Sequence, residues 1–227
     1  MKLTYHGHSC FTVEAAGKRL LFDPFITHNP LGNGEKDTDQ IEADYIFLSH
    51  GHEDHTADAA SIAKRTGAQL IAMVEVAGWM GKQGVENTMG MNYGSTQVAG
   101  LGRVSMVAAL HSSSMPDGSY GGNPAGFVVQ TDEGAFYYAG DTALTLEMQL
   151  VPRYAPCDFA VMPIGGHFTM DAQDAAEAAI LAGVKRVAGV HYDTWPPIAI
   201  NKEQAMQAFR SKGLELLLPG IGETIEL

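Results

Sequence analysis

Seven consecutive residues, Ser49-His50-Gly51-His52-Glu53-Asp54-His55, hold three imidazoles and a carboxylate in the order H-x-H-x-D-H. Neutral imidazole and carboxylate are the groups that bind zinc and its neighbours in the transition series. The apolar run Tyr45-Ile46-Phe47-Leu48 precedes them and reads as a buried strand. A run of small residues at 57–63 follows and reads as a helix. The cluster therefore sits on the turn leaving the C-terminal end of a strand, where open α/β sheets place their ligands. A His-rich surface loop is the plain alternative, and the density of ligand groups argues against it.

A catalytic metal keeps coordination positions open, so three to five protein ligands per ion suffice. Further candidates occupy comparable places in the pattern. His111 ends the apolar segment 104–110, Asp141 follows 136–140, and His191 ends 186–190. Taken singly, each is an ordinary polar residue at a strand end. Taken with the histidine motif, they describe how an α/β scaffold converges side chains on one point.

The elements needed to position them can be read from the apolar pattern. Strands are expected at 2–6, 10–14 and 19–22, with Ala16-Gly17 as a turn, and the loop 27–34 is dense in turn formers. A strand at 69–73 and a helix over 74–83 come next, then a strand-rich stretch from 95 to 138. The Ser-, Gly- and Pro-rich segment 112–126 reads as a long mobile loop. Helix and strand then alternate at 144–153, 159–162, 171–182, 186–190, 202–212 and 215–218. Early meanders followed by α/β alternation predict a single α/β domain over 1–227, a four-layer αββα sandwich of two mixed β-sheets flanked by helices.

Composition narrows the function. The chain has 227 residues, 45% hydrophobic and 18% charged, with a formal charge of −12. These are the proportions of a water-soluble globular protein. The acidic balance and the lack of a basic run argue against nucleic acid and anionic membrane as partners. No apolar stretch has the length of a membrane span. The N-terminus lacks the apolar core of a signal peptide, so the expected location is cytoplasmic. Cys10 and Cys157 form no motif and read as buried free thiols.

Taken in order, His50-x-His52-x-Asp54-His55, His111, Asp141 within Gly140-Asp141-Thr142, and His191 resemble the metallo-β-lactamase-fold hydrolase superfamily over most of the chain. Two stretches, Tyr5-His6-Gly7-His8-Ser9-Cys10-Phe11 and Pro163-Ile164-Gly165-Gly166-His167-Phe168-Thr169-Met170, resemble a group of small metal-dependent hydrolases similar to the ascorbate-6-phosphate lactonase branch. The resemblance implies two adjacent divalent metal ions, zinc first, with manganese or iron accepted by the same ligand types. It implies that His50, His52 and His111 hold one ion, that Asp54, His55 and His191 hold the other, and that Asp141 bridges them. Two cations at one water generate hydroxide near neutral pH. The expected activity is hydrolysis of a small-molecule ester, lactone or amide, with Asp54 as a proton acceptor.

Several residues lie outside that ligand set. His8, rather than His6, is a candidate for supporting a ligand from behind or for meeting the substrate. His167, approached through Gly165-Gly166, is a candidate substrate contact or proton donor. Asp23, before Pro24, either orients a metal-binding histidine or is a plain turn carboxylate. Asp171 is expected to cap its helix. His28 is expected to be solvated, and Met89, Met91 and Met115 to pack. Trp195 is a candidate for the mouth of the cleft.

Two other functions fit the same residues: a phosphodiesterase acting on a small cyclic phosphodiester or nucleotide, and a metal-binding scaffold or sensor without turnover. The short chain after His191 disfavours a glutathione thioesterase, and His52 disfavours redox diiron chemistry.

Overall fold

The computed structural model describes residues 1–32 and 38–227. Of the turn-rich loop 27–34, residues 27–32 are described, while Asn33 and Gly34 lie outside the described residues. The chain divides into two compact units, each built from non-contiguous segments. The first unit comprises Met1–Asn92, Ser112–Pro124 and Gly220–Glu226. The second is formed essentially by Tyr93–His111 and Ala125–Pro219.

The first unit carries a seven-stranded mixed sheet. Its strands are β1 (Lys2–Gly7), β2 (Cys10–Ala15), β3 (Lys18–Phe22), β4 (Tyr45–Leu48), β5 (Gln69–Met73), β6 (Thr88–Met91) and β14 (Thr224–Glu226), in the order β14-β1-β2-β3-β4-β5-β6. The β14 to β3 part is antiparallel and β3 to β6 is parallel. The β2–β3 hairpin closes on Ala16 and Gly17, both at positive φ (52° and 66°), the backbone that a two-residue hairpin with right-handed strand twist needs. Among the described residues, the helices α1 (Glu53–Thr56), α2 (Ala59–Thr66) and α3 (Val74–Lys82) connect the parallel strands β4, β5 and β6.

Register in this sheet is pinned by aromatic side chains. Phe11 lies opposite Phe22, and Phe22 opposite Phe47. Their rings stack at 4.6 and 4.7 Å. Such cross-strand pairs fix register, because a one-residue slip would turn all three rings to the other face. The same register brings Asp23, at the end of β3, level with the end of β4, where its N–H donates to Phe47 O at 3.0 Å.

The second unit carries the other seven-stranded sheet: β7 (Gly94–Val98), β8 (Gly102–Ala108), β9 (Ala125–Thr131), β10 (Gly134–Tyr138), β11 (Phe159–Pro163), β12 (Arg186–Val190) and β13 (Glu215–Leu217). Strands β10 to β13 are parallel and β7 to β10 antiparallel. Strands β8 and β10 both oppose β9, so β8, β10, β11 and β12 all end at the same edge. Helices α4 (Val151–Tyr154), α5 (Ala172–Leu181) and α6 (Lys202–Arg210) belong to this unit. Ala175, Ala176, Ala178 and Ala179 are fully buried in one cluster with Tyr137, Met162 and Phe209, the small side chains letting α5 lie close to its neighbours.

Most expected elements stand where the pattern put them. Strand β8 ends at Ala108, however, so His111 lies three residues beyond it and not at its tip. The expected helix 144–153 is a 3-10 turn over Leu146–Leu150 followed by the single turn of α4. Asp54 and His55 are in α1, so helix begins inside the histidine motif and not after it. The segment read as a mobile loop at 112–126 is braced by Met115 N–H to Ser119 O (2.9 Å) and Gly121 N–H to Ser113 O (3.1 Å), and its last two residues open β9. Cys10 is buried, but Cys157 is partly exposed. Burial pushes the Cys157 thiol up to about 12, with Asp158 adding to the rise. Among the described residues, no helix is long and apolar enough to cross a membrane.

Asp171 caps α5 as expected, its carboxylate accepting from the N–H groups of Gln173 (2.8 Å) and Asp174 (2.9 Å). Asp171→Ala should cost about 1 kcal/mol. For a chain of this size, the melting temperature should fall by roughly 2–4 °C in calorimetry. A fall well under 1 °C would show that the two bonds do not stabilise the helix.

Candidate metal centre

In the first unit, β4 delivers Ser49 and His50 directly from its buried end. The side chain of Asp23, fully buried and at φ 41°, meets them there. Its Oδ1 accepts from Ser49 N–H at 2.7 Å. Its Oδ2 accepts from Ser49 Oγ at 2.5 Å and faces His55 Nδ1 at 2.8 Å. Ser49 Oγ also lies 2.9 Å from His50 Nδ1.

These contacts fix two tautomers. A carboxylate only accepts, so Ser49 spends its single proton on Asp23 and must accept from His50 Nδ1–H. By the same rule His55 Nδ1–H donates to Asp23. Both rings then carry their lone pair on Nε2, the state in which imidazole ligates a metal.

His52 follows through a turn that only glycine fits. A Cβ on Gly51 would lie 2.6 Å from Met115 Sδ and 3.0 Å from Ser114 O. Gly51 N–H donates to Ser113 Oγ at 3.1 Å, and Ser112 Oγ is 3.4 Å from His52 Nε2. The opposite nitrogen, His52 Nδ1, faces His50 Nε2 at 2.8 Å. A neutral His52 can donate Nδ1–H to the His50 lone pair, and with its proton on Nε2 it turns a second lone pair to the same point, where a metal ion would meet both. The donor set therefore fits a metal, and the segment 112–121 acts as its brace.

Helix α1 starts at His52, whose carbonyl accepts from His55 N–H (3.1 Å) and Thr56 Oγ1 (2.9 Å). This single turn presents Asp54 beside His55, with Asp54 Oδ2 at 3.8 Å from His55 Nε2. His8 joins them: its Nε2 is 3.1 Å from Asp54 Oδ2, and its ring meets His55 edge-on at 5.6 Å. His8 is fully buried, at φ 54°, and its carbonyl accepts from Tyr5 Oη at 3.1 Å. Of the two N-terminal histidines, His8 is thus the one in the cluster. His6 instead pairs with Thr12 Oγ1 at 2.8 Å. Asp58, which the sequence did not single out, holds the loop after Asp23 by accepting from Ile26 N–H (2.6 Å), Thr27 N–H (3.0 Å) and Thr27 Oγ1 (2.6 Å).

In the second unit, Asp141 and His191 are both buried, with His191 Nε2 3.0 Å from Asp141 Oδ2. His111 Nε2 lies 3.7 Å from the same oxygen. His191 has φ 55°. Gly165 runs directly beneath it, because any Cβ there would overlap His191 O. The close approach expected at Gly165 is therefore to backbone. Thr142 ties the loops together: its Oγ1 accepts from Leu110 N–H at 2.9 Å and its carbonyl from Met170 N–H at 2.9 Å. Nothing in the sequence marked Thr142 beyond its place after Asp141.

His167 is exposed, at φ 59°, on the turn that Gly166 (φ 69°) opens. Its ring meets Phe168 edge-on at 4.4 Å. Among the described residues, no hydrogen bond or ion pair joins His167 to His111, Asp141 or His191. Trp195 is partly exposed and leads into a 3-10 turn at Pro196–Ile198.

Residues 18–192 match the family described as Beta-lactamase superfamily domain. The chain belongs to that family. Named relatives share its whole length. A UPF0173 metal-dependent hydrolase of Flavobacterium johnsoniae is 44% identical over 227 residues, and one of Methylacidiphilum infernorum 45%, each covering 100% of both chains. Among solved structures, Igni18, a novel metallo hydrolase from Ignicoccus hospitalis, superposes with a TM-score of 0.89 at 35% identity, covering 99% of this chain and 97% of that one. An isothiocyanate hydrolase from Delia radicum gut bacteria shares the fold alone, with a TM-score of 0.80 at 19% identity, over 100% of this chain and 99% of that one. The two mixed sheets with flanking helices are the metallo-β-lactamase fold, and the protein is a metal-dependent hydrolase of this superfamily.

Asp23 orients His50 through Ser49 and His55 directly, so Asp23→Ala should weaken zinc binding by about 10–100-fold, the usual range for removing a group that orients a ligand. Ser49→Ala, which frees only His50, should weaken it less. Competition with a chromogenic chelator reads both. Wild-type affinity in a folded Asp23→Ala protein would contradict the tautomer argument.

Proposed function

We propose that the two ligand sets form one dinuclear centre that hydrolyses a small-molecule ester, lactone or amide. His50, His52 and His111 are assigned to one divalent ion, Asp54, His55 and His191 to the second, and Asp141 to both. Zinc is the first choice of metal for this donor set. The observation that carries the reading is the convergence of His50 Nε2 and His52 Nδ1 at 2.8 Å, with His50 locked from behind by Ser49 and Asp23. When bound, such ions supply Lewis acidity toward the scissile group and lower the pKa of a shared water.

The chain's own residues do the rest. Asp23 and Ser49 keep lone pairs aimed forward, as derived above. Asp54, held by His8, is placed to take up a proton while remaining oriented. His167 is assigned to the substrate side, where an exposed imidazole can return a proton to the leaving group. The −12 charge and the lack of a basic run support a small substrate over a polynucleotide.

Metal analysis after reconstitution with zinc, manganese or iron should approach two equivalents per chain. A ceiling of one or none with every metal would refute the dinuclear centre. A panel of esters, lactones, amides and phosphodiesters, with and without chelator, then reads the bond class. Turnover confined to phosphodiesters would replace this assignment with the phosphodiesterase reading.

Asp141→Ala should lose more activity than Asp23→Ala, beyond the 10–100-fold expected when only ligand orientation is lost. His167→Ala should keep both metal equivalents and lower kcat. A lost equivalent would make His167 a ligand, and unchanged metal with unchanged kinetics would remove it from the site.

A further inference from the structure

Three loops of the second unit carry large apolar side chains into solvent beside residues assigned to the hydrolytic centre. Leu110 is 61% exposed and directly precedes His111. Phe168 is 52% exposed and directly follows His167. Leu146 is 73% exposed, five residues after Asp141, at the start of a 3-10 turn. Single exposed apolar residues are unremarkable; these three stand out because the segments that carry them are tied to one another.

These loops are held together by backbone hydrogen bonds. Thr142 binds Leu110 N–H and Met170 N–H, Ala143 N–H donates to Leu110 O at 3.1 Å, and Gly166 N–H donates to Met170 O at 3.0 Å. Thr145 caps the turn bearing Leu146, its side chain accepting from Glu147 N–H at 3.4 Å. The backbone that carries these side chains is thus fixed, so contact with an apolar group requires little ordering of the loops.

We propose that Leu110, Leu146 and Phe168 form an apolar lip that receives an alkyl or aryl group of the substrate. The proposal rests on the hydrolase reading above and adds the substrate class: a compound with a polar scissile group for the metal ligands and an apolar substituent for the lip. Size selects this occupant over a second protein. At the exposures above, the three side chains offer on the order of 350 Å², whereas a stable protein interface takes about 800 Å² from each partner. Such an area suits one short chain or one ring.

The test uses carboxylates as product analogues, read by calorimetry on zinc-loaded wild type and on the double variant Leu146→Ser/Phe168→Ser. Both positions are exposed, so the variant should fold. In wild type, affinity should rise by about twofold or more per methylene from acetate through butyrate to hexanoate, with benzoate also favoured over acetate. In the double variant this slope should flatten while acetate binds as before. A flat series in wild type, or a slope that survives in the variant, overturns the lip and leaves the hydrolase reading intact. Wild-type self-association abolished by the double substitution, seen in sedimentation together with a flat series, would overturn the lip in favour of a contact between copies. The headgroup arm is separate. Acetate that ignores zinc while hexanoate still binds through its tail would count against the metal-centred reading and for the lip.

Discussion

Asp23 spends both of its carboxylate oxygens on the turn that carries the histidines. One oxygen holds the backbone of Ser49; the other takes the proton of Ser49 Oγ and faces His55 Nδ1. Two imidazoles five positions apart, His50 and His55, are therefore set by one group. A buried carboxylate is costly unless every lone pair is used, and here the groups that satisfy it are the ones whose orientation matters. The dependence runs outward to the core. Asp23 reaches Ser49 because Phe22 pairs with Phe47, and that register is held by the stack from Phe11 through Phe22 to Phe47.

Backbone strain follows the same map. Six non-glycine residues among those described have positive φ, and four of them are His8, Asp23, His167 and His191. Each such residue costs on the order of 1–3 kcal/mol. Three of the four are held by their surroundings: Tyr5 holds the carbonyl of His8, Ser49 and His55 hold Asp23, and Asp141 meets the ring of His191. A strand ending in an extended residue would continue along the sheet. At His8, Asp23 and His191, which directly follow β1, β3 and β12, a left-handed residue turns the chain sharply at the strand end.

The fold was legible in the sequence because its signals are local. Apolar runs such as Tyr45–Leu48 and Val187-Ala188-Gly189-Val190 mark parallel strands buried on both faces, and candidate ligands such as His50 and His191 stand close after their ends. Other features have no local signature. Strand β6, over Thr-Met-Gly-Met, has neither alternation nor a continuous apolar run, and forms because β5 offers it a parallel edge. The 112–126 segment has loop composition, yet Met115 is buried against Gly51 and Ser113 holds its N–H. Its role is a long-range fit between a missing Cβ and a thioether, which spacing cannot disclose. Thr142 and Asp58 are similar: their chemistry is ordinary, and their importance lies in which distant N–H groups they meet.

The two units solve one electrostatic problem in the same way. Asp23 in the first and Asp141 in the second are buried carboxylates, each facing imidazole nitrogen at 2.8 and 3.0 Å, respectively. A buried carboxylate needs compensating positive charge or a full set of donors. Asp23 has the donors, two of them from Ser49, and so remains a support. Asp141 faces His191 and His111 from a single oxygen, at 3.0 and 3.7 Å. That shared oxygen is what makes Asp141 a candidate ligand. The same residue type thus serves as scaffold in one unit and candidate ligand in the other.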